Sequence, residues 1–466
     1  MPLGKQTIAA LSFRRIVGFA CNQGFVFYLF YMGMNTSLTV PGFSFERIDL
    51  AVMLLFMVIG FGVLAGVPEP RRDFLLSRPL LIAYGILMAA ASLYPFAPAD
   101  ALALHLGACA LMGVSGSYLL TAWGRAFVTV PTRVAIPEVF LGTLVAAFAC
   151  LLFSAAQTAE VMLLMRVFPV ASAAWIDPFT PAEKHAFMMQ GEEENRAQAL
   201  SYKILCGTLC FGAAAGFMDT FATQPGGQAN PTFQVGLVLL GAFLIGALTL
   251  LLSDGFGKGD TLNRPYRLAV YVMMLGILVI PTGISSLLPG EAMVVAGYLG
   301  LEAVLISLFL VMAKIAQTDG VAAFTRGFLA LFAGEAIGIA FSNCATALAG
   351  GGSTPFAVVA LAGALVLLSY VFLFTERDFI DLSVIVTDTD SFDAVCGTIT
   401  QQFGLSKRES EILPYALRGR TAARIAEELV ISKSTVDTHL RRIYGKAGVH
   451  GRQELLDLSE ELRQSL

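Results

Sequence analysis

The sequence predicts an all-α protein: twelve membrane-spanning helices arranged six plus six, followed by a small four-helix unit outside the bilayer. Three observations predict it. First, 56% of the 466 residues are hydrophobic and 14% are charged, against roughly 25% charged in a soluble domain; mean hydropathy is +0.73. Second, apolar runs long enough to cross a bilayer recur along the first 376 residues. Third, the chain turns polar and charged after Thr375. A soluble enzyme, a secreted disulfide scaffold and a disordered chain are excluded at this step. The net charge of −4 says little, because the charges are unevenly placed.

The cysteines are Cys21, Cys109, Cys150, Cys206, Cys210, Cys344 and Cys396. They form no CxxC pair, so neither a disulfide framework nor a zinc site is expected, and they read as small core residues. Met1 to Arg15 lacks a basic region, short apolar run and small-residue cleavage site in that order, so no cleavable leader is expected.

The predicted spans are 16–38, 50–67, 79–96, 101–122, 135–155 and 161–176, then 205–223, 233–252, 268–288, 293–315, 328–348 and 356–374. The sixth is short and contains Pro169. The interval 177–203, with Glu192, Glu193 and Glu194, reads as a cytoplasmic linker between the two sets. Orientation follows from retention of Lys and Arg on the cytoplasmic side. With Lys5, Arg14 and Arg15 inside, every even-numbered connection is basic: Arg71, Arg72 and Arg78; Arg125 and Arg133; Lys184, Arg196 and Lys203; Lys258, Arg264 and Arg267; Lys314 and Arg326. The odd-numbered connections hold Arg47 and little else. Both termini are therefore expected in the cytoplasm of a multi-pass inner-membrane protein.

The halves echo each other: Leu76-Ser77-Arg78-Pro79 precedes span three and Leu262-Asn263-Arg264-Pro265 precedes span nine. On this six-plus-six repeat, long central loop and internal termini, residues 1–376 resemble the major facilitator superfamily in architecture. The family's signature between spans two and three is met loosely by Gly66 and Arg71-Arg72, with Asp73 following the basic pair instead of preceding it. That departure bears on active transport more than on the fold.

Charged residues inside spans are expensive and usually face a cavity or a partner. Arg166, Glu302 and Glu335 stand out, with two readings open: the lining of a midplane ligand pocket, or an interhelical ion pair. Asn22, Gln23, His105 and Asn343 read as interhelical hydrogen-bond partners. Glu138 and Asp219, near span ends, read as interfacial.

In the tail, 377–400 reads as a linker, with Asp388, Asp390 and Asp393 clustered and a short strand conceivable at 384–386. From 401 the pattern is helical. Ser406 and Glu409 have capping-box spacing, Gly419 stops the first helix, and Pro414 lies inside it. Thr421 opens a second helix, Val430-Ile431 turns, and Ser432 caps a third that Gly448 ends; a fourth begins near Gly451. Helix, short turn, longer helix is the helix-turn-helix arrangement.

Residue by residue this segment resembles the LuxR/FixJ family of bacterial DNA-binding domains. The string runs Leu405-Ser406-Lys407-Arg408-Glu409, Glu411-Ile412-Leu413, Gly419, Ile425-Ala426-Glu427-Glu428-Leu429, Ile431-Ser432, Ser434-Thr435-Val436, His439, Ile443, Lys446, Gly448-Val449, Arg452 and Glu454-Leu455. The resemblance implies double-stranded DNA as partner, dimerisation on it, and Asp437, Thr438 and Arg441 at base-facing positions. Lys433, Arg441, Arg442, Lys446 and Arg452 have the chemistry to neutralise phosphates, and Thr421, Ser434 and Thr435 to donate hydroxyls. Asp437 replaces a commonly basic residue. It is read either as a groove residue accepting from cytosine or as part of a Ser434-x-x-Asp437 cap. Ala422-Ala423-Arg424 departs from a polar, basic, acidic run, leaving Arg424 as a phosphate contact or a solvated charge. Leu455, Leu456 and Leu458 suit a core or a dimer seam.

The expected function is a membrane-bound bacterial transcription regulator that senses a small molecule and binds promoter DNA. A working transporter with a regulatory tail is the rival. No H-E-x-x-H, G-x-S-x-G or phosphate-loop motif occurs, so no catalysis, cofactor or metal is expected.

Overall fold

The computed structural model describes residues 10–32, 36–40, 43–94, 101–156, 163–176, 192–221, 231–253, 262–282, 288–315, 320–348, 354–373, 378, 391–392 and 394–465. Lys5, Lys184, Lys258, the acidic cluster Asp388, Asp390 and Asp393, the possible strand at 384–386 and the 177–191 part of the central linker lie outside the described residues. The chain divides into two compact units, residues 1–179 with 189–383, and residues 180–188 with 384–466.

The first unit is a helical bundle. Its helices are α1 (Phe13–Phe27), α2 (Ile48–Gly66), α3 (Glu69–Leu75), α4 (Arg78–Ala91), α5 (Leu102–Val128), α6 (Thr132–Ala156), α7 (Phe168–Trp175), α8 (Glu192–Phe221), α9 (Pro231–Ser253), α10 (Asn263–Val279), α11 (Gly290–Ile315), α12 (Gly320–Leu348) and α13 (Thr354–Leu368). Among the described residues eight helices are long and apolar enough to cross a membrane, or nine if α3 and α4, bent by 52°, make one span. Leu163–Trp175 and Ala357–Val371 are apolar but shorter. The predicted twelve are thus each represented by helix, yet not each by an uninterrupted span. The first is interrupted because α1 loosens into a π turn at Tyr28–Met32. A two-stranded hairpin, β1 (Leu38–Val40) with β2 (Phe43–Phe45), then follows where the sequence reading still had helix at Leu38. The last predicted span likewise ends in a π turn, Ser369–Leu373.

The apolar exterior marks a membrane protein. Leu55, Ile59, Phe148, Leu152, Ile245 and Leu278 are exposed on helix surfaces, as expected where the surrounding solvent is hydrocarbon. α11 is the inner helix, with 94% of its apolar window buried. It packs on α9, α10 and α12, and on α5 and α6 from the first set.

The tightest joint is between α8 and α12. Gly212 and Gly216 on one helix face Gly334 and Gly338 on the other. A Cβ on Gly212 would run into the Leu331 carbonyl, one on Gly216 into the Glu335 carbonyl, one on Gly334 into Leu209 and one on Gly338 into Ala213. Two small-xxx-small motifs therefore let the backbones touch, and van der Waals packing holds them. The α2–α12 contact is aromatic instead: Phe61 stacks on Phe328 at 5.7 Å and on Phe332 at 5.9 Å.

The second unit contains a helix at 394–402, labelled α14, then α15 (Lys407–Leu417), α16 (Ala422–Glu428), α17 (Lys433–Ala447) and α18 (Arg452–Ser465). Its core is Ile412, Leu413, Ile425, Val436, Ile443 and Leu455, joined by Val395, Cys396 and Ile399. The 377–400 linker reading is corrected here: Phe392, Val395, Cys396 and Ile399 form an i, i+3, i+4, i+7 stripe that packs on the domain. Leu455 is wholly core, with Leu456 and Leu458 packed against it.

If the glycine joint holds the bundle, Gly216→Leu overpacks it and costs about 2 kcal/mol or more. Gly246→Leu, where a Cβ meets nothing within 4 Å, is tolerated. Thermal unfolding of both variants in detergent separates the two outcomes.

Candidate nucleic-acid interface and intramembrane polar cluster

In the second unit the capping box forms as its spacing predicts: Ser406 N–H donates to Glu409 Oε2 at 2.7 Å. Thr421 caps α16 by accepting from Arg424 N–H at 3.3 Å. Val430 at φ +53° makes the turn. Ser432 then caps α17, accepting from Thr435 N–H at 3.1 Å, and Gly448 at φ +69° ends it. The residues of α17 sort cleanly. Val436, Ile443 and Ala447 are buried, whereas Ser434, Thr438 and Arg441 are exposed on one stripe at i, i+4, i+7. Lys433, Thr435 and Arg442 flank that stripe and are also exposed. Fifteen residues make a rod of about 22 Å, presenting this face along its length.

Individual side chains refine the sequence reading. Arg441, Arg442 and Lys433 make no ion pair among the described residues and are available to an anion. Thr438 Oγ1 donates to the Ser434 carbonyl at 2.8 Å, so its methyl group and lone pairs remain for a base edge. Ser434 and Thr435 hydroxyls both bond Ser432 Oγ, at 2.8 and 2.7 Å. Asp437 is half-buried and is no cap partner, since Ser432 is the N-cap; the Ser434-x-x-Asp437 alternative falls. Arg424 binds Glu427 at 2.9 Å and Glu428 at 3.0 Å.

Two of the expected phosphate contacts also have neighbours within the protein. Lys446 is committed internally: Nζ donates to Glu409 Oε2 at 2.7 Å and to the Gly404 carbonyl at 2.9 Å. It locks the end of α17 to the start of α15. Arg452 is half-buried against the Gly419 turn, 3.4 Å from where a Cβ would stand, with Nη2 buried and unpartnered.

Burial of Glu409 works against its ionisation. Hydrogen bonds from Lys446 and from the Ser406 amide and hydroxyl outweigh it and hold the carboxyl down at about 2. A lowered acid contributes stability above its unfolded value near ~4.3 and loses it as pH falls through the folded value.

In the first unit, the structure separates the three predicted in-span charges. Arg166 Nη2 donates to Tyr28 Oη at 2.9 Å, with its guanidinium 5.9 Å from that ring; it makes no ion pair with Glu302 or Glu335. Those two acids join a different set. Tyr298 Oη donates to Glu335 Oε2 at 3.1 Å. The Asp219 carboxyl adjoins that of Glu335, and Gln23 adjoins Glu302. Glu335 is fully buried, Gln23 is 1% exposed, Glu302 5% and Asp219 7%. Asp219 was read as interfacial. It is instead turned inward, one helical step beyond Gly216, where α8 touches α12. Glu138, also read as interfacial, is fully buried and takes Arg15 Nε at 2.6 Å and the Ser12 amide at 2.7 Å. Asn343 bonds the Glu46 backbone in both directions, at 2.6 and 3.1 Å.

Comparison with known proteins agrees with the second unit. Residues 404–459 match the family described as GerE, bacterial regulatory proteins, luxR family. The Fimbriae Z protein of Escherichia coli (strain K12) is 43% identical over 56 residues, 12% of this chain and 27% of that protein. The response regulator protein TodT of Pseudomonas putida is 42% identical over 62 residues, 13% of this chain and 27% of that protein. The chain thus spans about a quarter of the length of these curated relatives. Among solved structures, the human organic anion transporter TETRAN aligns at TM-score 0.47 and 13% identity, over 69% of this chain and 83% of that one. The Escherichia coli fucose:proton symporter FucP aligns at 0.45 and 12%, over 80% and 100%. The chain ends in a LuxR-type helix-turn-helix domain, similar to those of LuxR-family regulators, and such a domain binds DNA.

Because Glu409 is buried and doubly anchored, Glu409→Gln is expected to destabilise the C-terminal unit by on the order of 2–3 kcal/mol at pH 7. Hydrogen exchange of α15 amides in the full chain reads this out. Between about pH 5 and pH 2 the wild-type protection declines more than the variant's.

Proposed function

We propose that the protein is a membrane-embedded bacterial transcription regulator: the twelve-segment unit senses a small molecule and the helix-turn-helix reads promoter DNA from the cytoplasmic side of the inner membrane. The observation that carries this reading is the exposed Ser434–Thr438–Arg441 face of a LuxR-type α17 on the same chain as an apolar bundle. Arg441 is the base-reading residue, suited to guanine in the major groove, with Asp437 and Thr438 beside it. Lys433, Arg442 and the hydroxyls of Thr421, Ser434 and Thr435 serve the phosphates. The protein binds DNA as a homodimer, as its resemblance to the LuxR/FixJ family implies. Both termini are cytoplasmic because the basic connections alternate as they do. The reading assigns no catalysis and needs no cofactor.

An effector alters DNA binding only by binding one conformation of the protein better than another. The rival reading, transport with a regulatory tail, draws on the buried acids of α8, α11 and α12. Solute uptake by proteoliposomes that disappears in Glu302→Gln would favour it.

Genomic footprinting of the tagged full-length protein supplies the operator. On that operator, Arg441→Ala is expected to lose about 1–3 kcal/mol and relax one base position. Arg442→Ala weakens all sequences alike and lowers the salt slope by about one. Equal affinity of wild type and Arg441→Ala for operator and random DNA sinks the reading. Protease accessibility of the tail in sealed spheroplasts tests the orientation: cleavage from outside overturns it.

A further inference from the structure

Three buried carboxyl groups share the interior of the first unit: Asp219 of α8 adjoins Glu335 of α12, and Glu302 of α11 is near enough for its charge to act on Glu335. Among the described residues none of them has an ion-pair partner. The charge of Arg47 acts on Asp219. That charge is already answered by Asp49 at 4.0 Å and the Phe30 carbonyl at 2.7 Å. Two adjoining carboxylates in a low dielectric are tolerated only with a shared proton or a cation between them.

A second, independent observation points to a ligand. Gln23 is 99% buried beside Glu302, and both its amide atoms lack a hydrogen-bond partner. Asp219 Oδ2 and Glu335 Oε1 are also unpartnered. Leaving a buried amide unsatisfied is costly, and the fold nonetheless retains several polar groups that it does not itself satisfy. The vacant atoms are mostly acceptors, and what they lack is a donor carrying positive charge. No group of these residues is spaced to hold a metal ion among the described residues. Aromatic rings border the acids: Tyr298 bonds Glu335, and Tyr31, which faces the same acids, stacks on Phe233 at 5.0 Å. Aromatic faces and carboxylates together suit an alkyl or aryl ammonium ion.

We infer that Gln23, Asp219, Glu302 and Glu335 form a binding site for a small organic cation with a protonated amine. The three ammonium N–H groups donate to the unpartnered acceptors Asp219 Oδ2, Glu335 Oε1 and Gln23 Oε1, Glu302 adds negative charge beside them, and the organic body lies against the tyrosine side. This rests on the reading of the bundle as a sensor and names its ligand class.

The test uses full-length protein in nanodiscs and no DNA: equilibrium dialysis with radiolabelled benzylammonium, competed by methylammonium, putrescine, benzoate or sodium chloride. Saturable binding of one benzylammonium per chain is expected, displaced by the two amines and not by benzoate or sodium chloride. Glu302→Gln and Glu335→Gln are expected to weaken it about tenfold or more, and Gln23→Leu to weaken it less. Should the acid variants fail to fold, the wild-type competition and Gln23→Leu decide. Absence of saturable binding, equal displacement by sodium chloride, or wild-type affinity in the folded acid variants overturns the assignment. Amine binding without any change in operator affinity would sink the sensing reading and leave this site standing. An operator response to another compound, with no amine bound, would do the reverse.

Discussion

The contact on which the membrane unit depends is backbone against backbone, where Gly212 and Gly216 of α8 meet Gly334 and Gly338 of α12. In lipid there is little hydrophobic drive to hold helices together, so close van der Waals approach does the work. The same approach fixes the polar chemistry. Glu335 follows Gly334 directly and offers its own carbonyl to the space where a Gly216 side chain would be. Asp219 lies one helical step after Gly216. Two carboxyls are thereby brought side by side by a packing motif whose side chains are absent. A larger residue at either glycine separates the helices and with them the acids.

Much of this was legible in the sequence, and the exceptions have physical reasons. Hydropathy located a helix for each of the twelve predicted spans, because each must satisfy its own backbone in lipid; it did not show the polar helix α3 (Glu69–Leu75) or the start of α8 at Glu192. It could not show that α1 relaxes into a π turn at Tyr28, nor that Leu38 leaves the helix for a hairpin, since Leu, Val and Phe suit helix and strand alike in an apolar run. Glu302 and Glu335 were visible as charges inside spans. How they stand relative to Arg166 was not legible, because sequence spacing on different helices carries no rotational information. Arg166 bonds Tyr28, and Asp219 adjoins Glu335. The paired glycine motifs, Gly212-xxx-Gly216 and Gly334-xxx-Gly338, were the available signal that α8 and α12 touch and that Asp219 faces inward.

The helix-turn-helix was more fully legible, because its turns are chemically specified. Ser406, Thr421 and Ser432 cap three successive helices, and Gly419 and Gly448 supply the left-handed backbone at two ends. What sequence alone obscured was the division of labour among cations. Lys446 and Arg441 are both basic residues on α17 and look interchangeable as phosphate ligands. They point to different sides: five residues apart on a helix is a rotation of about 140°. Lys446 reaches Glu409 and the Gly404 carbonyl at the start of α15, and Arg441 makes no ion pair among the described residues. The three aspartates before α14 hid its apolar stripe in the same way, by giving a polar average to a segment whose buried face is Val395, Cys396 and Ile399.

The two polar assemblies differ in a way that bears on signalling. Glu409 and Lys446 answer each other's charge, so that site is complete and its loss only destabilises. Among the described residues the acids around Gln23 have a hydrogen bond from Tyr298 and the influence of Arg47 but no ion-pair partner, so that site is incomplete, and its energy depends on what occupies it. A ligand that supplies the missing charge to one helix arrangement and not to another needs only about 1.4 kcal/mol of discrimination for each tenfold change in population. A charge-assisted hydrogen bond in a dry interior is of that size or larger. Incomplete neutralisation is therefore the property that makes the bundle suited to switching, where a fully paired interior of the same shape would be inert.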